Sequence, residues 1–258
     1  YAANALGLVG VGVLAGNTAY GADYSVFVGP TAGANAADAD LSVGVGFNSL
    51  RMATNADNAV AVGAYSLEYA INGLNNTAVG MSAGRYASNT IQSVMLGREA
   101  GFTASGSSQS IYVGPFAGQY AENSDLVTFA GGNAGRYATN SGYNVFLGNG
   151  AGQYASNTFY NVFLGYNAGA IADSLTNSII IGANQGTNDA ADSILWVHPG
   201  TSTTRPLIFG SGQDIDRFLW VNGRLTVTGN VASLQGVYTG NAAGLTNLDA
   251  STLALGTV

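Results

Sequence analysis

The chain has 258 residues, a formal net charge of -7, no cysteine, and charged side chains at only 8% of positions against 47% hydrophobic ones. Charge this sparse excludes a disordered polyelectrolyte, and the absence of cysteine excludes a disulfide framework and a thiolate zinc site. Seven basic residues, all arginine, offer no concentrated basic surface for nucleic acid or an anionic membrane.

In chain order, the first stretch to interpret is ALGLVGVGVLAG, residues 5–16. It has the length of a signal-peptide core but no basic flank, and it is too short to span a bilayer. It is also in phase with a repeat. The phrase Asn-Val-Phe-Leu-Gly at 144–148 returns at 161–165, and its closing glycine recurs at a constant interval of 17 from Gly12 to Gly182. With that glycine as position zero, Val or Ile fills nine of eleven places three residues earlier, and Val, Leu or Ile all but one place just before it. Three residues after zero, ten of eleven are Ala or Ser; four after, nine are Gly; seven after, ten are Ala.

A fixed period without helical spacing predicts an all-β chain, a parallel β-solenoid of 17-residue coils over 1–190. Each coil is expected to hold two short strands and two tight turns, with glycines supplying positive φ. Coils stacked about 4.8 Å apart would climb roughly 50 Å. Tyr1-Ala2-Ala3-Asn4 matches 154–157 in phase, so the array is expected to begin mid-coil. Residues 191–235 read as a β-rich transition, with a hairpin at Asn222-Gly223. Residues 236–258 read as a turn-rich connector without a cap, so the protein is expected to continue.

The columns three and one before zero share a face, because strand side chains alternate. They are expected to fill the coil interior. The column two before zero would then point outward. It includes Phe27, Met95, Tyr112, Phe129, Phe146, Phe163 and Ile180. A ladder of that kind in water is a large apolar patch, so these residues are candidates for a subunit interface; a strip for sugars or lipids is the alternative. Six after zero stand Tyr69 and Tyr86, then Tyr120, Tyr137 and Tyr154, with an apolar face and polar tip suited to contact with a glycan or protein receptor. Cross-coil stacking alone would also place them there.

The phrases at 161–169 (NVFLGYNAG) and 58–67 (NAVAVGAYSL) resemble the head repeats of YadA-like trimeric autotransporter adhesins. That resemblance implies a left-handed parallel β-roll that forms homotrimers. The 17-residue period is longer than is usual in that family. Downstream, 206–210 (PLIFG), 221–231 (VNGRLTVTGNV) and 244–248 (GLTNL) are similar to phage tail fibres and bacterial surface fibres, in many of which an endosialidase-type chaperone follows.

Other constellations carry less. Asp23, Asp40 and Asp57 share a column eleven after zero, either a calcium ladder or a solvated turn edge. Arg51, Glu68 and Arg85 alternate in sign on consecutive coils, as exposed pairs would. The single histidine, His198, has no serine-elbow motif near it. Gly148 to Gly152 resembles a phosphate loop but lacks the following helix. Glycoside hydrolysis needs paired carboxylates in a groove; Glu122 and Asp125 share a coil and Asp214 and Asp216 a strand face, but neither pair has a supporting cluster in the sequence. No cofactor, nucleic acid or membrane insertion is expected. The function expected is a structural segment of a trimeric extracellular fibre, on a virion tail or bacterial surface, that projects or forms a receptor-binding surface for host attachment. The alternatives are a polysaccharide-degrading tailspike and an ice- or surface-binding solenoid.

Overall fold

The computed structural model describes residues 5–184, 194–198, 208–211 and 218–221. Eleven short strands, from β1 (Val9–Val11) to β11 (Ile179–Gly182), stack in parallel at one strand per coil. Register is set by the repeat: Val9 pairs with Val26, Val145 with Val162, and Phe146 with Phe163. The described residues contain strands and turns but no helix.

The expected second strand is reduced to isolated bridges. Single parallel bridges climb the opposite wall from Tyr20↔Ala37 to Ser156↔Asp173, and a second line, Gly142↔Phe159 and Phe159↔Thr176, joins it in the last coils. The reason is backbone geometry. Left-handed residues recur two, four, nine and twelve after the zero glycine, as at Asn48, Leu50, Asn55 and Asn58, and an extended run cannot pass through them. Glycine at zero is required twice over. Gly29 has φ +128, and a Cβ there would lie 2.7 Å from the carbonyl oxygen of Gly46.

The strand faces are the reverse of the sequence expectation. Phe27, Met95, Tyr112, Phe129, Phe146, Phe163 and Ile180 are fully buried within the single chain, while the flanking Val, Leu and Ile residues are half-buried or exposed. The aromatic column therefore fills the coil and is no subunit interface. Volume is the physical reason. Opposite each large ring the wall offers only Ala, Ser and Gly, and Leu50 and Leu67 stand there where the column itself is Gly44 and Ala61, so the interior takes a large side chain from one wall at a time and β-branched pairs do not replace it. Rings stack up the interior, with centroids 4.8 Å apart for Phe129 and Phe146 and 4.6 Å for Phe146 and Phe163.

Beside the rings runs a buried polar ladder four before zero. Asn144 Nδ2 donates to the Thr158 carbonyl at 2.7 Å, while its Oδ1 accepts from the Asn161 N–H at 2.8 Å. Asn161 repeats the acceptance with the Ser178 N–H at 2.8 Å. In earlier coils serine does the same: Ser42 N–H donates to Ser25 Oγ at 3.0 Å, and Ser25 Oγ to the Ala39 carbonyl at 2.7 Å. These Asn and Ser side chains thus find their partners one coil away, as burial demands.

Beyond β11 the parallel sheet continues into β12 (Ile194–His198), but Ile179 pairs with Leu195, an offset of 16. One deleted residue in the connecting coil therefore moves the zero position from Pro199 to His198, which pairs with Gly182. β13 (Ile208–Ser211) and β14 (Phe218–Val221) then add antiparallel. The hairpin expected at Asn222-Gly223, the connector 236–258, and Asp214 and Asp216 lie outside the described residues.

Candidate functional site

Two surfaces stand out on the described coils. The first is the outward face of the parallel sheet. Its two columns are almost wholly Val, Ile and Leu, and nine of these side chains are exposed, among them Val11, Ile111, Leu164 and Ile181. Strand alternation puts both columns on one face, and one rung per coil aligns them without a break.

The second surface lies on the turn after the strand and the wall that follows. Here the expected tyrosine columns do stack. Tyr69 and Tyr86 are parallel at 5.2 Å, Tyr120 and Tyr137 at 5.2 Å, and Tyr137 and Tyr154 at 5.3 Å. Phe102 joins the two groups edge-on, 5.3 Å from Tyr86 and 6.2 Å from Tyr120. Sequence columns missed this link because Phe102 is displaced by one position, with Thr103 in the tyrosine column. Within a ladder each ring lies against the next, which leaves edges and hydroxyls for solvent more than open faces.

All four described arginines gather along the same strip, a concentration that composition alone does not reveal. Glu68 is only 1% exposed and binds two of them, Arg51 Nη1 at 3.0 Å and Arg85 Nε at 2.7 Å. The pairing is therefore more buried than the exposed contacts expected. The Glu68 hydrogen bond, followed by one to the Tyr69 hydroxyl, raises the Arg51 pKa above its already high ordinary value. Arg85 also lies over Tyr65 at 4.6 Å. Arg98 and Arg136 share one ring, their guanidinium carbons 4.4 and 5.2 Å from the Phe116 centroid.

The aspartate column, part-exposed along the turn edge, accepts hydrogen bonds from backbone amides. Asp40 Oδ1 accepts the Asp23 N–H at 2.6 Å, Asp57 Oδ1 accepts the Asp40 N–H at 3.0 Å, and Asp23 Oδ1 accepts the Leu6 N–H at 2.6 Å. Each carboxylate satisfies the turn amide of the coil below. Asp125 does so for Ser108 at 2.5 Å, while Glu122 lies exposed on the bridge wall. Among the described residues no group of three or more His, Asp or Glu side chains is placed to hold a metal. Gly148 to Gly152 forms part of the ordinary turn, with Gly150 and Gly152 left-handed.

One interior group is out of keeping with its surroundings. Tyr112 continues the ring stack 5.6 Å from Phe129, but among the described residues its buried hydroxyl has no hydrogen-bond partner. The nearby Ser107 and Ser110 hydroxyls donate to backbone carbonyls instead. Burial pushes the Tyr112 phenol up to about 12, with Ser107 and Ser110 opposing the shift.

The fold defines the chain as a parallel β-solenoid repeat protein. No protein-family model matches the chain, and no curated protein matches its sequence.

Proposed function

We propose that the chain is the shaft-and-head segment of a homotrimeric extracellular fibre, on a virion tail or a bacterial surface, that projects a receptor-binding surface for host attachment. The observation that carries this is the outward aliphatic sheet face. It is about 10 Å by 50 Å, on the order of 500 Å², at the upper end of what a soluble monomer exposes. The face is continuous over eleven strands, so a second and third copy set against it would bury it along its whole length. Trimer number, left-handedness and attachment follow from the resemblance to adhesin heads and tail fibres. The mechanism is mechanical: every coil adds a rung of backbone hydrogen bonds, and association covers what one chain leaves in water.

Sedimentation of the intact chain tests this. The wild type is expected to be oligomeric, and Ile111→Asp with Val113→Asp on the outer face is expected to give folded monomers. Phe146→Asp, one wall-thickness inward, is expected to disrupt the coil itself. A wild-type chain that sediments as a monomer, or an outer-face variant that stays oligomeric, overturns the proposal.

A further inference from the structure

We propose that the arginine-aromatic strip binds an acidic polysaccharide, a linear polymer of carboxylate-bearing sugars; this deepens, and rests on, the attachment role proposed above. The turn before the strand carries Asp23, Asp40, Asp57 and Asp125 and no arginine, whereas every described arginine lies on the strip after it. Two carboxylates share that strip and both are engaged: Glu68 binds Arg51 and Arg85, and Glu99 Oε2 accepts from Gln119 Nε2 at 2.6 Å. In a chain of net charge -7, the turn after the strand is, among the described residues, where an anion can approach arginines.

The arginines divide into two pairs. Arg51 and Arg85 are neutralised by one buried carboxylate, Glu68. Among the described residues Arg98 and Arg136 have no carboxylate within ion-pair distance; Arg136 Nη1 donates to Asn133 Oδ1 at 3.3 Å. Both stack on Phe116, and Arg136 also lies 5.0 Å over Tyr137. Stacking holds the planar guanidinium forks in place, so that less freedom is lost when they grip a carboxylate two hydrogen bonds at a time. Beside them the half-exposed Tyr120, Tyr137 and Tyr154 present phenol edges at the repeat of the coils. Hydroxyls spaced along an open strip suit an extended, hydroxyl-rich chain. A nucleic acid carries a charge every ~1.7 Å of duplex and would be repelled by the protein's overall charge. A polymer with one carboxylate per sugar spreads its charge more thinly.

The test is titration calorimetry of the full chain with polygalacturonate in calcium-free, low-salt buffer. Dextran serves as the neutral polymer and poly-glutamate as a polyanion without sugar. Polygalacturonate is expected to bind and to weaken as salt rises, while dextran gives no heat. Arg98→Gln with Arg136→Gln should weaken binding by about a hundredfold, roughly tenfold per lost charge-assisted contact. Tyr160→Ala, which removes a ring from the separate Tyr143–Tyr160 stack, should leave binding unchanged. Circular dichroism on each variant confirms that the coils are intact. Absence of polygalacturonate heat, or unchanged affinity in the folded double-arginine variant, overturns the site. Equal affinity for poly-glutamate overturns its assignment to sugars. An oligomer that ignores polygalacturonate sinks this inference and leaves the fibre standing; a monomer that binds it does the reverse.

Discussion

The ring of Phe146 occupies the space that a side chain on Gly152 would need: a Cβ built on Gly152 falls against the ring itself. The same relation joins Phe27 to Gly33, Phe129 to Gly135 and Phe163 to Gly169. Where the inward position of the strand is small, at Gly44 and Ala61, the facing position carries Leu50 and Leu67 instead, both fully buried. In these coils one large side chain is supplied from one wall or the other; where both positions are small, at Ala78 and Gly84, Leu67 and Met95 of the adjacent coils reach into the space.

This reciprocity predicts a rescue. Gly152→Leu alone should destabilise the fold by about 3 kcal/mol or more through overpacking, and Phe146→Ala alone by about 3–5 kcal/mol through the cavity left. The double variant should recover at least half of the summed loss. The left-handed backbone at 152 is no obstacle, since Leu50 and Leu67 adopt φ of 53° and 49° at the equivalent place. Urea unfolding of the four chains as a double-mutant cycle provides the check; additive losses would contradict the pairing.

Tyr112→Phe should stabilise the protein by about 1 kcal/mol at neutral pH, because the buried hydroxyl is removed without stranding a partner. The gap should widen with alkali. The phenol ionises near 10 in the unfolded chain and only at about 12 in the folded one. Below pH 10 both states keep the proton, and the wild type suffers no penalty. Above it the unfolded state gains by ionising and the folded state does not, so wild-type stability falls as pH rises from 10 towards 12. By about pH 11 the variant's advantage should have grown by about 1.4 kcal/mol, read from denaturant midpoints of both proteins across the range.

Glu68→Gln should lower stability by about 2 kcal/mol. Two arginines lose a charged acceptor held in the wall, and their partial exposure, 30% and 26%, tempers the loss. Most of the effect should persist in 0.5 M salt, since the carboxylate itself is buried. Loss of the whole difference in salt would mean that Glu68 acts as a surface charge.

Asp40→Ala should cost about 1 kcal/mol, because the Asp23 amide loses its acceptor. Asp40→Asn keeps an acceptor oxygen and removes one of three like charges spaced a rung apart, so it should be neutral or slightly stabilising. Chelation of calcium should leave the melting temperature of the wild type unchanged. A marked drop on chelation would mean that the column binds calcium.

Much of this architecture was legible in residue order. The unbroken 17-residue interval predicted one rung per coil, and the stacking of Tyr137 on Tyr154 followed from it. The facing of the strand did not. Alternation separates Val145 and Leu147 from Phe146 but does not say which set lies inside when both are apolar. The deciding signal was present in the sequence as a correlation of sizes: Phe146 with Gly152, Gly44 with Leu50. A reading of each column by itself passes over it, because the correlation links the two walls of one coil.

By itself, the sequence determined the period, the parallel register and the glycine at zero, since those depend on local φ and on the approach of one backbone to the next. Only the tertiary structure decided what lies within the coil, how Asn144 and Asp40 satisfy amides one rung away, and that four scattered arginines share a strip. Those outcomes depend on volume and on distances across the coil, which residues far apart in the chain settle together.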